Sequence, residues 1–219
     1  MKKRLFAWMI LATVSIFTTR AQEDPVAEQY LDAVAEKTHS IEPFRLTFTF
    51  TTINLQDNSE SSYKGSLVLY GKKYLLKTED SEIIFDGQTL WNYLPDADEV
   101  NITNPDPEDH SFFTDPGQLF TNFKQRFKYH YVDKQTVGGK SLLVIDLYPV
   151  DLAESYSRIR LQVDEKQMVL HSAHYFGKNG THYILRIEKT EPNIKVSPGY
   201  FTFNPADHPD TEIIDLRDM

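Results

Sequence analysis

The sequence predicts a mainly β fold: an antiparallel sheet with one apolar and one wet face, accompanied by two helices. Apolar residues alternate with polar ones at a period of two through most of the chain, and turn signals separate the runs. About ten such runs occur in one chain, more than a flat sheet carries without curling or closing on itself. Two segments break the alternation with helix starts, Asp24-Pro25 and Asp115-Pro116.

The elements follow in order. Lys2, Lys3 and Arg4 precede the apolar stretch Leu5–Phe17, and Thr19-Arg20-Ala21 offers small residues at a cleavage site. Residues 1–21 are therefore expected to be a cleaved signal peptide, being too short for a spanning helix, with one domain over 22–219. Asp24 caps a helix over about 24–38, where Ala27, Tyr30, Leu31 and Val34 share a face. Strands follow around Arg45–Phe50, Leu67–Leu69, Tyr74–Leu76, Ile83–Phe85, Trp91–Tyr93 and Val100–Ile102. Asn104-Pro105-Asp106-Pro107 cannot lie in a central strand, because two prolines remove ladder donors. Leu119, Phe120, Phe123 and Phe127 then share one side of an inserted helix, preceded by Phe112 and Phe113. Such a helix fits as a plug or cover for the mouth of a curled sheet. In the second half, Leu143, Ile145 and Leu147 pair with Ile159, Leu161 and Val163, then come Tyr183–Ile187 and a last run at Phe201 and Phe203. Asp86-Gly87, Gly138-Gly139 and Asn179-Gly180 mark turns between runs.

Composition narrows the function. Charged residues make up 25% and hydrophobic ones 40%, so the chain has enough apolar material for a core and is not disordered. A net charge of −9 argues against binding nucleic acid through its phosphates. The absence of cysteine removes disulfides, thiolate metal sites, thiol catalysis and a lipidated N-terminal cysteine. Removal of the basic leader leaves the exported remainder more acidic still.

No nucleotide-binding loop, nucleophile elbow or zincin motif is present. His171 and His174 are three apart, which on a regular strand puts them on opposite faces, so no metal is expected there. Asp106, Glu108 and Asp109 lack the spacing of a calcium loop and read as a solvated segment. Carboxylates are plentiful, yet no spacing selects a glycosidase-like pair. Asn101-Ile102-Thr103 and Asn179-Gly180-Thr181 match the glycosylation acceptor pattern. The aromatic residues, 13% of the chain, fit either plain core or the lining of a ligand cavity.

One stretch carries a family resemblance: Gly65-Ser66-Leu67-Val68-Leu69, then Lys73–Lys77, then Ile83-Ile84-Phe85-Asp86-Gly87-Gln88-Thr89-Leu90-Trp91-Asn92-Tyr93, ending at Glu99-Val100. Phe44-Arg45-Leu46-Thr47-Phe48, the Pro116–Phe127 segment and Phe201-Thr202-Phe203-Asn204-Pro205 extend it in order. This pattern resembles the periplasmic carriers of outer-membrane lipoproteins, the LolA family. The resemblance implies an unclosed, strongly curved half-barrel covered by the N-terminal helix and the inserted helical lid. It implies a periplasmic carrier that is not an enzyme and uses no cofactor or metal, and that works as a monomer. Its cargo would be lipoprotein acyl chains, taken from an inner-membrane lipoprotein-releasing ABC transporter and passed to an outer-membrane receptor. The lipid-facing residues expected on that basis are Phe48, Phe50, Leu67, Leu69, Tyr74, Leu76, Ile83, Phe85, Trp91 and Tyr93 on the sheet. Phe112, Phe113, Leu119, Phe120 and Phe123 are expected in the lid. Where the family carries Arg-Pro before the Tyr74 strand, this chain has Gly71-Lys72, and a lysine lacks the planar fork with which arginine tethers the lid. Another amphiphile, such as a glycolipid or a lipid-linked intermediate, fits the same fold. An exported hydrolase with a carboxylate pair is the rival of a different class, and it predicts a polar cleft.

Overall fold

In the computed structural model the described residues are 24–106, 116–120 and 123–217, without the side chains of 118 and 119. The expected leader, Phe112, Phe113 and the side chain of Leu119 lie outside them. Helix α1 spans Pro25–Ser40, and Asp24 caps it by accepting from the Val26 and Ala27 amides at 2.9 and 3.2 Å. The other carboxylate oxygen accepts from the Tyr131 amide at 2.9 Å. Burial alone would raise the Asp24 pKa, but these amides and the nearby His130 hold it below the usual carboxylate range. One side chain thus starts the helix and ties it to the sheet. Ala27, Leu31, Val34 and Thr38 form the buried stripe of α1.

Among the described residues twelve strands make one sheet. They are β1 (Phe44–Asn54), β2 (Ser59–Tyr70), β3 (Lys73–Lys77), β4 (Glu82–Phe85), β5 (Leu90–Leu94) and β6 (Glu99–Thr103). The second half adds β7 (Phe127–Val137), β8 (Lys140–Pro149), β9 (Tyr156–Asp164), β10 (Val169–Gly177), β11 (Thr181–Glu191) and β12 (Glu212–Asp215). The spatial order is β12-β6-β5-β4-β3-β2-β1-β11-β10-β9-β8-β7, so β7 and β12 remain as edges and the barrel is open. Every pair is antiparallel except β12 with β6. Leu76 on β3 and Tyr129 on β7 belong to one core cluster. Laid flat, those strands would be roughly 34 Å apart at the usual inter-strand spacing, so the sheet must curl. Its concave face wraps α1, whose contacts are with β7 and β10.

The convex face also carries a layer. After β11 the chain crosses the outside of β2–β6, where Ile194, Val196, Tyr200, Phe201 and Phe203 pack on Val68, Leu75, Ile84, Tyr93 and Val100. It then adds β12 beside β6 in register Ile213↔Val100. Phe201 and Phe203 therefore belong to an irregular strap and not to a strand.

The insertion differs from one continuous helix ending at Phe127. Pro116–Leu119 is a 3-10 turn and α2 is a single turn, Phe123–Arg126. Phe127, Tyr129 and Tyr131 alternate with Lys128 and His130, and this period of two takes Phe127 into β7. Phe120 and Phe123 nevertheless reach the concave core, Phe120 edge-on to Phe44 at 5.9 Å. Among the described residues no helix is long and apolar enough to cross a membrane.

Candidate functional site

The register places the concave face residue by residue. Phe44, Leu69, Tyr74, Phe85, Leu90 and Thr103 form one cross-strand row from β1 to β6. Leu46, Leu67, Leu76, Ile83, Asn92 and Asn101 form the next. Phe48 lies opposite Gly65, and Phe50 opposite Tyr63. These rows run from full burial to partial cover. Leu46, Phe48, Leu67 and Leu76 are at most 1% exposed, whereas Ile83, Phe85 and Leu90 are only partly covered. The concave face is thus a packed core at β1–β3 and an accessible apolar surface at β4–β5.

Eight of the ten sheet residues expected to face the cavity lie on this concave face: Phe48, Phe50, Leu67, Leu69, Tyr74, Leu76, Ile83 and Phe85. Of the lid residues, Phe120 and Phe123 join them. Trp91 and Tyr93 do not. Trp91 is paired with Ile84 and Tyr93 with Glu82, both on the convex side, and the strap covers them. Tyr93 packs on Phe203 at 5.6 Å and on the His208 ring at 4.5 Å. Alternation puts Trp91 and Tyr93 on one face; a second apolar layer outside the sheet makes that face the outer one.

Aromatic residues, several of them outside the expected cavity set, line one end of the interior. Phe50 stacks on Tyr63 at 5.4 Å and approaches Tyr183 at 5.9 Å. Across the curl, Tyr156 meets Tyr175 edge-on at 5.6 Å and Phe127 at 6.5 Å. Burial, helped by the Asp80 charge, pushes the Tyr63 phenol up to about 12. Burial and the Glu154 charge do the same for Tyr156, also to about 12. Both hydroxyls stay neutral, so this end offers apolar ring faces with polar tips, a surface suited to an amphiphile. A signal for it exists in the sequence: Tyr129 and Tyr131, Tyr175, and Tyr183 all occupy alternate positions of their strands.

Titratable groups elsewhere have structural partners. On the convex face Asp146, 2% exposed, receives the Arg160 Nε and Nη2 at 2.7 and 2.8 Å and Arg158 Nη1 at 3.4 Å. Arg158 lies 4.0 Å over the Phe176 ring, which stacks on His174 at 3.9 Å. His174 Nε2 is 3.3 Å from His182 Nδ1. Burial first, then the charges of His182, Arg158 and Arg160, hold the His174 imidazole down to about 4. Among the described residues no three His, Asp or Glu side chains group as metal ligands. Among the same residues, every carboxylate with a displaced pKa is displaced downward, as for Asp146, Glu165, Glu191 and Asp215. A convex groove of about 620 Å³ is lined by Thr47, Lys64, Ser66, Lys77, Thr78, Glu79 and Glu188, with Phe48 and Gly65 at its base. It holds mixed charge.

Solved structures align with most of the chain. An uncharacterized conserved protein from Thermus thermophilus superposes with a TM-score of 0.57 at 8% identity, covering 87% of this chain and 99% of that one. A LolA superfamily protein from Nitrosomonas europaea gives 0.45 at 13% identity, covering 81% and 97%. The lipoprotein LppX from Mycobacterium tuberculosis gives 0.49 at 12%, covering 80% and 100%. At 8% identity the likeness to the Thermus thermophilus protein concerns the fold alone. No curated protein matches the chain. A family model described as "-like: Uncharacterized protein" matches residues 70–204, from the end of β2 to the end of the strap's Phe201–Phe203 contact. That match spans more than half of the 219 residues, so the chain belongs to this family of uncharacterized proteins.

Proposed function

We propose that the chain is an exported carrier of acylated molecules, working as a single domain over 22–219 after loss of residues 1–21. The acyl chains lie on the concave face of β4–β5, against Ile83, Phe85 and Leu90, and extend toward the aromatic end at Phe50 and Tyr63. The observation that carries this reading is the change from buried to partly covered residues along one continuous apolar face. Burying a chain there gains roughly 0.8 kcal/mol per methylene. Incomplete cover keeps that gain reversible, as transfer requires. Lipoprotein acyl chains, received from an inner-membrane transporter and delivered to the outer membrane, are the cargo we favour; another periplasmic amphiphile is the second reading, because apolar residues do not name a lipid.

The test is release. The protein is added to spheroplasts of its host that are making a tagged lipoprotein, and the supernatant is examined for a soluble complex. The reading predicts a complex that survives Trp91→Ala, on the convex face, and is lost with Phe85→Asp. Release that is absent while a native lipid co-purifies with the protein turns the assignment to the second cargo. Absence of both contradicts a carrier.

A further inference from the structure

The second concave row changes character within one strand. Leu46, Leu67, Leu76 and Ile83 are apolar; their neighbours in register, Asn92 on β5 and Asn101 on β6, are amides. Asn92 Oδ1 is buried and has no hydrogen-bond partner among the described residues. The amide opposite it is already committed, since Asn101 Nδ2 donates to Glu99 Oε1 at 2.5 Å. A buried acceptor without a donor is costly and calls for an explanation, and a bound donor supplies one. This acceptor stands where the partly covered apolar surface of Ile83 and Leu90 ends, beside a carboxylate.

We infer that Asn92, Asn101 and Glu99 form the headgroup end of the acyl site and bind a head that donates hydrogen bonds. The inference rests on the carrier reading and names what its cargo carries. Asn92 Oδ1 and the Glu99 carboxylate both accept, so hydroxyl or ammonium groups fit and a carboxylate head does not. The chains lie on Ile83, Phe85 and Leu90, and the head's donor replaces the missing partner of Asn92.

Three probes with the same acyl length separate the possibilities: dodecyl glucoside for hydroxyls, dodecylamine for ammonium, and dodecanoate for an anionic head. Calorimetric titration below the micelle concentration should give the glucoside and the amine about tenfold tighter binding than dodecanoate. Asn92→Leu should bring the glucoside to within about twofold of dodecanoate, with dodecanoate itself little changed. Glu99→Gln should weaken the amine by about tenfold and the glucoside far less. Because Asn92→Leu removes a buried acceptor that has no partner among the described residues, the unliganded variant should melt no lower than the parent. Equal binding of the three heads, an unchanged preference in Asn92→Leu, or a lowered melting temperature in that variant would each overturn the headgroup assignment. Failure of all three probes to bind would instead remove the carrier reading beneath it.

Discussion

Gly65→Ala should lower stability by about 3 kcal/mol, among the largest effects of adding a single methyl group. A Cβ built at Gly65 overlaps Phe48 Cζ and comes within 2.8 Å of the Lys77 carbonyl oxygen. The Phe48 ring occupies the place where a side chain at Gly65 would stand, one row from the partly covered part of the concave face. An alanine there displaces a ring that is 1% exposed and also presses on backbone, which has nowhere to move. Urea unfolding should show a lower midpoint with an unchanged slope. The double change Gly65→Ala with Phe48→Leu should recover part of the loss, because it removes the overlapping ring. An alanine variant as stable as the parent would mean that Phe48 does not rest on Gly65.

Asp146→Ala should cost about 2 kcal/mol, because it leaves Arg158 and Arg160 beside each other without their shared carboxylate. The two arginine side chains are about a third exposed, at 31% and 32%, and water then screens part of the repulsion. The same cluster gives stability a dependence on acidity. His174 has a folded value of about 4 against an ordinary 6.5, so the unfolded chain takes up its proton first as pH falls. Its contribution is complete above about 6.5 and declines toward 4. His171, also held down chiefly by burial, adds in the same sense. The Asp146 carboxyl is held below 3.8: burial would raise it, and Arg160 and Arg158 outweigh burial. Its contribution is present above 3.8 and disappears only below that. Acid unfolding should therefore begin with a histidine limb, reduced by His174→Gln and removed when His171 is replaced as well, before the carboxylate limb. A flat stability between pH 6.5 and 4 would contradict the burial of a neutral His174.

Most of the strand order was legible because alternation and turn chemistry act locally. Asp24 with Pro25 announced α1, and the pairing of Leu143, Ile145 and Leu147 with Val163, Leu161 and Ile159 follows from one hairpin. Local patterns do not say which face is inside. Trp91 and Tyr93 looked like cavity residues, and the strap of Tyr200–Phe203 makes their side a second core. Asn92, between them, is thereby turned onto the concave face, which is why the polar end of that face was missed. Strand β7 was hidden because Phe127 also satisfied a helical spacing with Phe120 and Phe123. β12 was hidden because it pairs in parallel with a strand far earlier in the chain, and no hairpin signal marks such a contact.

The most direct measurement is of what the protein carries. It is purified without detergent from its own cells and extracted with organic solvent, and the extract is examined by mass spectrometry beside those of Phe85→Asp and Trp91→Ala. The carrier account predicts acylated molecules in the parent and in Trp91→Ala, and their loss from a folded Phe85→Asp. Equal amounts in all three, or a parent free of acyl chains that also takes up none from added lipid, would contradict it.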